Sequence, residues 1–214
     1  MIKKGKMNTY LRTYNKEMDA FIEACFKKLK KYNVNIVISS KKYVVYPGGN
    51  EKCNGYFDED GKERYFAVAT GNSTQQWFEI FVHEYCHFEQ WVDKFHLWKV
   101  GDDQDMWAWV SHEKEFKQSK IKKNIQPMRD LEWDCEKRVI AKIKEFDLPI
   151  DPKLYAKKSL AYVCFYDFIL KYRKWYKIGK EPYRNKHILD AMPDNINRKP
   201  KLTPKLEKLF KQCV

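Results

Sequence analysis

Apolar residues recur at helical spacing over several long stretches of this chain and crowd into short runs elsewhere. From Thr9 to Tyr32, the positions Leu11, Tyr14, Met18, Phe21, Ile22, Cys25 and Leu29 trace one stripe with lysines and acids opposite, predicting an amphipathic helix. Val34–Ser40 (VNIVISS) and Lys42–Pro47 (KYVVYP) are rich in β-branched and aromatic residues, and the short break between them predicts a hairpin, whose second strand ends at Pro47-Gly48-Gly49-Asn50. The turn signals Asn54-Gly55 and Asp60-Gly61 lead to a third strand, Arg64–Thr70 (RYFAVAT). After Gly71-Asn72-Ser73 the period changes. Trp77, Ile80, Phe81, Tyr85, Phe88 and Trp91 fall largely three and four apart, and Ser73 with Gln76 reads as a capping box, so a helix begins here.

Beyond Asp93 the pattern predicts a loop around Gly101 and a helix from about Asp103 to Lys117. A long helix follows with Pro127 in its first turn and Leu131, Cys135, Val139, Ile143 and Phe146 on one stripe, stopped by Leu148-Pro149. Asp151-Pro152 opens another helix, dense in aromatics through Tyr176, and Thr203-Pro204 opens a short last one. The fold class expected is α+β, mostly helical, with a small antiparallel sheet of about three strands preceding the helix at 73–91. A single domain over 1–214 is expected, with its core at 64–146 and a C-terminal helical part at 151–214.

Composition supports a packed core: of 214 residues, 43% are apolar and 16% aromatic. The basic N-terminus has no apolar core of the kind an export signal needs, and no apolar run is long enough to cross a bilayer. The six cysteines are scattered without a C-x-x-C pair, which suits free thiols in a reducing compartment, so a cytoplasmic setting is expected. Lys and Arg outnumber Asp and Glu by 42 to 29, a formal charge of +13, but the lysines run through every segment. Diffuse charge of this kind is a solvated surface more often than a nucleic-acid footprint.

One stretch carries chemistry. Within the helix at 73–91, His83, Glu84 and His87 stand in the order H-E-x-x-H. Four residues make slightly more than one turn, so both imidazoles leave the same face, where they can grip one zinc ion. Glu84 sits beside that ion, placed to take a proton from a water. Catalytic zinc needs a third protein ligand. No third histidine follows at metzincin spacing, where Asp93 stands instead. A carboxylate must come from another element, and the helix bearing Glu132, Asp134 and Glu136 offers one. Glu132 and Glu136 lie a turn apart; Glu132 is assigned as the ligand, and Glu136 as the acceptor that orients a ligand histidine. The swapped assignment, with Glu136 on the metal, stays open, as does a pair of solvated helix acids. Cys86 and Cys135 read as small packing residues and not as ligands.

HEYCH at 83–87 followed by ExxxE at 132–136 resembles the gluzincin-type zinc metallopeptidases, in particular the small single-domain members in which a short antiparallel sheet leads into the zinc helix. The likeness covers Arg64 to about Ile143 and implies a zinc-dependent hydrolase acting on peptide or protein substrates. This chain has Glu136 where aspartate is commoner and Cys135 where alanine or serine is usual. In the mechanism so implied, Glu84 relays a proton from water to the leaving amine. A hydroxyl should steady the oxyanion, and Tyr162 is the candidate, with Tyr155, Tyr166 and His112 behind it. Two other function classes compete: a zinc-binding scaffold without turnover, and a basic nucleic-acid-binding protein whose H-E-x-x-H is incidental.

Overall fold

A computed structural model of the chain describes residues 15–47, 52–59, 63–101 and 103–214. Leu11 and Tyr14 of the first predicted helix, and the turns placed at Gly48-Gly49-Asn50 and Asp60-Gly61, lie outside the described residues. The chain is mostly helical α+β. It divides into two compact units, one drawn from Met1–Val92 with Ala141–Ile150, the other from Asp93–Ile140 with Asp151–Val214.

In the first unit, helix α1 (Lys16–Lys31) starts where the Asn15 side chain accepts the Met18 N–H at 2.9 Å. Glu17 and Asp19 occupy its first turn and Lys28, Lys30 and Lys31 its last, each charge matched to its end of the helix dipole. Its inner stripe, Met18, Phe21, Ile22, Cys25, Phe26 and Leu29, is buried. Among the described residues five strands follow: β1 (Val34–Ser39), β2 (Val44–Val45), β3 (Lys52–Cys53), β4 (Gly55–Asp58) and β5 (Arg64–Ala69).

The sheet differs from the expected antiparallel one. Its order is β1-β5-β4, with β1 parallel to β5 (Val34 opposite Arg64, Ser39 opposite Ala69) and β4 antiparallel to β5 (Phe57 opposite Phe66). The predicted hairpin between β1 and β2 does not form; β2 pairs with β3 in a separate two-stranded sheet. The reason lies at the end of β1, where Thr70 N–H donates to the Ser39 carbonyl at 2.7 Å and Gly71 N–H to the Lys41 carbonyl at 2.9 Å. A Cβ on Gly71 would stand 2.5 Å from the Lys41 carbonyl carbon, so only glycine lets the chain after β1 lie this close to the end of β5. A parallel pair needs a long crossover, and β2 through β4 provide it.

Helix α2 (Thr74–Val92) then begins as predicted, with Ser73 Oγ accepting the Gln76 N–H at 3.3 Å. Its apolar face packs by aromatic edges: Phe81 on Phe66 at 5.1 Å and on Phe26 at 5.7 Å, Phe88 on Phe57 at 5.5 Å, Tyr85 on Phe21 at 5.9 Å.

The second unit is helical. Helix α3 (Asp103–Val110) is shorter than predicted and ends before His112, which is exposed and adopts a left-handed φ of 65°. Helix α4 (Gln118–Glu145) starts about nine residues earlier than Pro127 suggested, so the proline sits inside it and removes one backbone bond. Ile121 and Ile125, both buried, anchor the extra turns. Phe146, predicted on the α4 stripe, lies past the helix end and is exposed, its ring centroid 5.1 Å from that of Phe21 within the first unit. Helix α5 (Pro152–Tyr172) starts as predicted, the Asp151 carboxylate accepting the Lys153 and Leu154 N–H groups at 2.8 and 3.2 Å. It ends at Arg173 in a left-handed conformation, φ 54°, and that guanidinium donates to the Trp109 and Lys114 carbonyls and to Glu115. A short 3-10 turn (Pro182–Arg184) leads to helices α6 (Lys186–Ala191) and α7 (Pro204–Phe210), and Phe210 closes against Phe165 and Phe168 of α5 at 5.4 and 5.7 Å. Among the described residues no helix is long and apolar enough to cross a membrane.

Candidate metal centre

The helix at the sheet places its two imidazoles as the spacing predicts. His83 Nε2 and His87 Nε2 are 3.1 Å apart, with ring centroids at 4.6 Å. Two nitrogens each about 2.0–2.1 Å from one tetrahedral zinc stand about 3.3 Å from each other, so the pair is already close to the bite such an ion needs. His87 is further held by Gln90, whose carbonyl oxygen lies 2.9 Å from Nδ1. Gln90 was not singled out from the sequence. The signal was there in its spacing, three residues after a ligand histidine on the same helix.

Glu84 is buried on α2, 9% exposed, and its Oε2 accepts the Phe57 N–H of β4 at 3.1 Å. The geometry of the sheet explains this contact. The Asn54 carbonyl accepts the Ala69 N–H, so alternate residues 54, 56 and 58 face β5, and Phe57 turns its amide to the open edge. Glu84 satisfies that edge amide, as the sheet partner would have done. Gly55 makes the approach possible: a Cβ there would stand 2.7 Å from Ile80 Cγ2, 2.9 Å from the Ala67 carbonyl oxygen and 3.1 Å from Glu84 Cγ. Read from sequence, Asn54-Gly55 is a turn; in the structure Gly55 opens β4, and its missing side chain is the space α2 occupies. The edge strands of this sheet are β1 and β4, with β5 in the middle.

Cys135 read as a packing residue alone. Its thiol is buried, and together with the two histidines it forms a group that could hold a metal ion, each residue offering one ligand atom and all three atoms lying within 4.8 Å of one another. Thiolate and imidazole are both ordinary zinc ligands, so the donor set fits that ion, and it fits other thiophilic metals as well.

The remaining residues singled out from the sequence lie in the second unit. Glu136, on α4, is buried, and its Oε2 accepts hydroxyl hydrogen bonds from Tyr155 at 2.7 Å and Ser159 at 2.9 Å, both on α5. That carboxylate oxygen is thus tied to α5. Glu132, a turn before it, is half-buried. Tyr162 stands with its hydroxyl 3.2 Å from that of Tyr166, its ring edge-on to Tyr166 and Tyr183. Burial pushes its pKa well above the usual tyrosine value, and the neighbouring Tyr166 and the Glu132 carboxylate push it the same way. Glu132, Tyr162 and Tyr166 therefore share one neighbourhood, whereas His112 is exposed at the end of α3. Five of the six cysteines are buried and Cys53 is half-buried.

No protein-family model matches this chain, and no match to it is found among curated proteins or solved structures.

Proposed function

We propose that the chain is a zinc-dependent peptidase of the gluzincin kind, with His83 and His87 as ligands and Glu84 as general base. The observation that carries the reading is the pair of Nε2 atoms 3.1 Å apart on a helix that also bears a buried carboxylate next to the first of them. Helix α4 supplies the third ligand. Glu132 is the choice from motif spacing and Cys135 the choice from the ligand-atom group.

Zinc bound here would polarise the scissile carbonyl and bring the pKa of a water down towards about 7. The protein does the rest. Phe57 N–H holds Glu84 Oε2 and so fixes the carboxylate plane, and Glu84 accepts the proton of the attacking water and returns it to the leaving amine. Tyr162, kept neutral by its raised pKa, serves as the hydroxyl donor to the oxyanion. The free thiols suit a reducing, cytoplasmic setting.

A second reading is favoured by the contact between Glu84 and Phe57: a carboxylate spent on a strand edge suits a metal-stabilised scaffold with no turnover. One experiment separates the two. Zinc-loaded wild type and Glu84→Gln are incubated with a mixed peptide library, and zinc content is measured on both. Equal zinc with cleavage only by wild type supports the peptidase; equal zinc with identical product profiles leaves the scaffold.

A further inference from the structure

Among the described residues strand β1 is paired on one side only. The Ser39 carbonyl accepts the Thr70 N–H, which sets the phase of the ladder: Asn35, Val37 and Ser39 turn their backbone groups to β5, and Val34, Ile36 and Ile38 turn theirs to the outer edge. Among the described residues nothing bonds to the outward N–H and C=O groups of Ile36 and Ile38. Both faces of the sheet are in use. Val37 packs into the cluster of Val44, Tyr56, Ala67 and Ala69 on one, and Phe66 meets Phe81 of α2 on the other. The edge is what remains to offer. An open edge is a template for another strand, and proteins blunt it with charge, proline or a bulge. VNIVIS has no charge and no proline, and its register with β5 runs unbroken from Val34 to Ser39.

The charge around this edge has one sign. Ala24 to Asn50 is the longest stretch of the chain without Asp or Glu, and it holds six lysines. Lys30 and Lys31 precede the strand and Lys41 and Lys42 follow it, all four exposed. Lys28 pairs with Glu89 at 3.0 Å, whereas among the described residues these four make no ion pair. We infer that β1 docks an extended acidic segment of a partner protein, which adds as a fourth strand. Its main chain bonds to Ile36 and Ile38, and carboxylates at its two ends meet the two lysine pairs. A second copy of this chain fits less well. Antiparallel pairing of β1 with itself about Ile36 would bring Lys30 and Lys31 of one copy towards Lys41 and Lys42 of the other, at both ends. A nucleic acid would meet the lysines but has no main-chain amides to match the ladder. The edge lies across β5 from the contact of Glu84 with Phe57, and the inference does not depend on a metal.

The test titrates a synthetic peptide, Val-Thr-Val-Thr-Val with a pair of glutamates at each end, into the full chain labelled with ¹⁵N. Binding should saturate, shift the amides of residues 34–39 and slow hydrogen exchange at Ile36 and Ile38 about tenfold or more. The same peptide with lysines in place of its glutamates should bind at least about tenfold more weakly, and so should the glutamate peptide to a chain carrying Lys41→Glu and Lys42→Glu. Ile38→Pro removes an outward N–H and leaves the bonds to β5 in place, so it should weaken binding by a similar factor. No binding at about 1 mM peptide, equal binding of the two peptides, or shifts centred away from 34–39 overturns the inference. So does a chain that dimerises through these amides by itself, or a single-stranded RNA oligomer that protects Ile36 and Ile38 where the peptide does not. If Ile38→Pro fails to fold, the lysine substitutions and the two peptides decide.

Discussion

Gly55→Ala tests how the strand edge, the helix and the general base are fitted together. The new Cβ would lie 2.7 Å from Ile80 Cγ2 and 2.9 Å from the Ala67 carbonyl oxygen. Ordinary carbon contacts are about 3.5–4.0 Å, so the methyl overlaps its neighbour by roughly an ångström. Ala67 belongs to the central strand β5, paired on both sides with Val37 and Tyr56, and cannot retreat. Helix α2 must give way instead, carrying Ile80 and Glu84 with it. Forcing one methyl into packed surroundings costs about 1–3 kcal/mol. Removing a strand glycine recovers roughly 0.5–1 kcal/mol of backbone entropy. The net expectation is a loss of about 1–2 kcal/mol, which at about 2–4 °C per kcal/mol for a chain of this size lowers the melting temperature by roughly 2–8 °C. Urea unfolding gives the free energy, and amide exchange at Phe57 reports the bond to Glu84, which should open faster. Ile80→Leu moves the offending methyl off Cβ, so the double variant should recover part of the loss. A Gly55→Ala protein as stable as wild type, or two substitutions whose effects simply add, would refute the reasoning.

Tyr155→Phe deletes a hydroxyl donor to buried Glu136 and should destabilise the chain by about 1–3 kcal/mol in urea unfolding, with the fold retained. A neutral effect would mean that the carboxylate does not depend on that bond. Burial pushes the Cys164 thiol from its ordinary 9.0 up to about 12, with Asp167 adding to the shift and Arg129 opposing it. The folded state thus favours the protonated thiol, so this contribution is complete below pH 9.0 and is lost as pH rises towards 12. Cys164→Ala should flatten the decline of stability over that window, measured by unfolding at fixed urea. An unchanged slope would contradict it. Cys135→Ser and Glu132→Gln, compared for zinc affinity, should differ sharply: the variant that loses at least tenfold names the third ligand.

How far the sequence alone reached depended on whether the deciding forces were local. Helices α1, α2 and α5 begin at Asn15, Ser73 and Asp151, whose side chains cap the first turn, and α2 and α5 start where the caps predict. The two imidazoles meet because residues four apart on a helix must. Non-local geometry was hidden. Pairing of β1 with β5 depends on a glycine, Gly71, at a close approach that no periodicity records. Asn54-Gly55 signals a turn by composition, yet glycine stands there because Ile80 and Glu84 occupy the space of its side chain. Pro127 suggested a helix start, but the buried Ile121 and Ile125 carry α4 through it at the loss of one backbone bond. At the site, Gln90 was visible as an i+3 neighbour of His87, whereas motif spacing pointed to Glu132 and away from Cys135, whose place in the ligand-atom group depends on contacts distant in sequence.

The most direct test of the metal claim is zinc stoichiometry by chelator competition, followed by elemental analysis, on wild type and His83→Ala. One zinc per chain in wild type, with affinity falling by at least a hundredfold in the variant while the fold remains intact, is the outcome predicted by an imidazole pair 3.1 Å apart. Zinc bound equally by both proteins, or by neither, would contradict it.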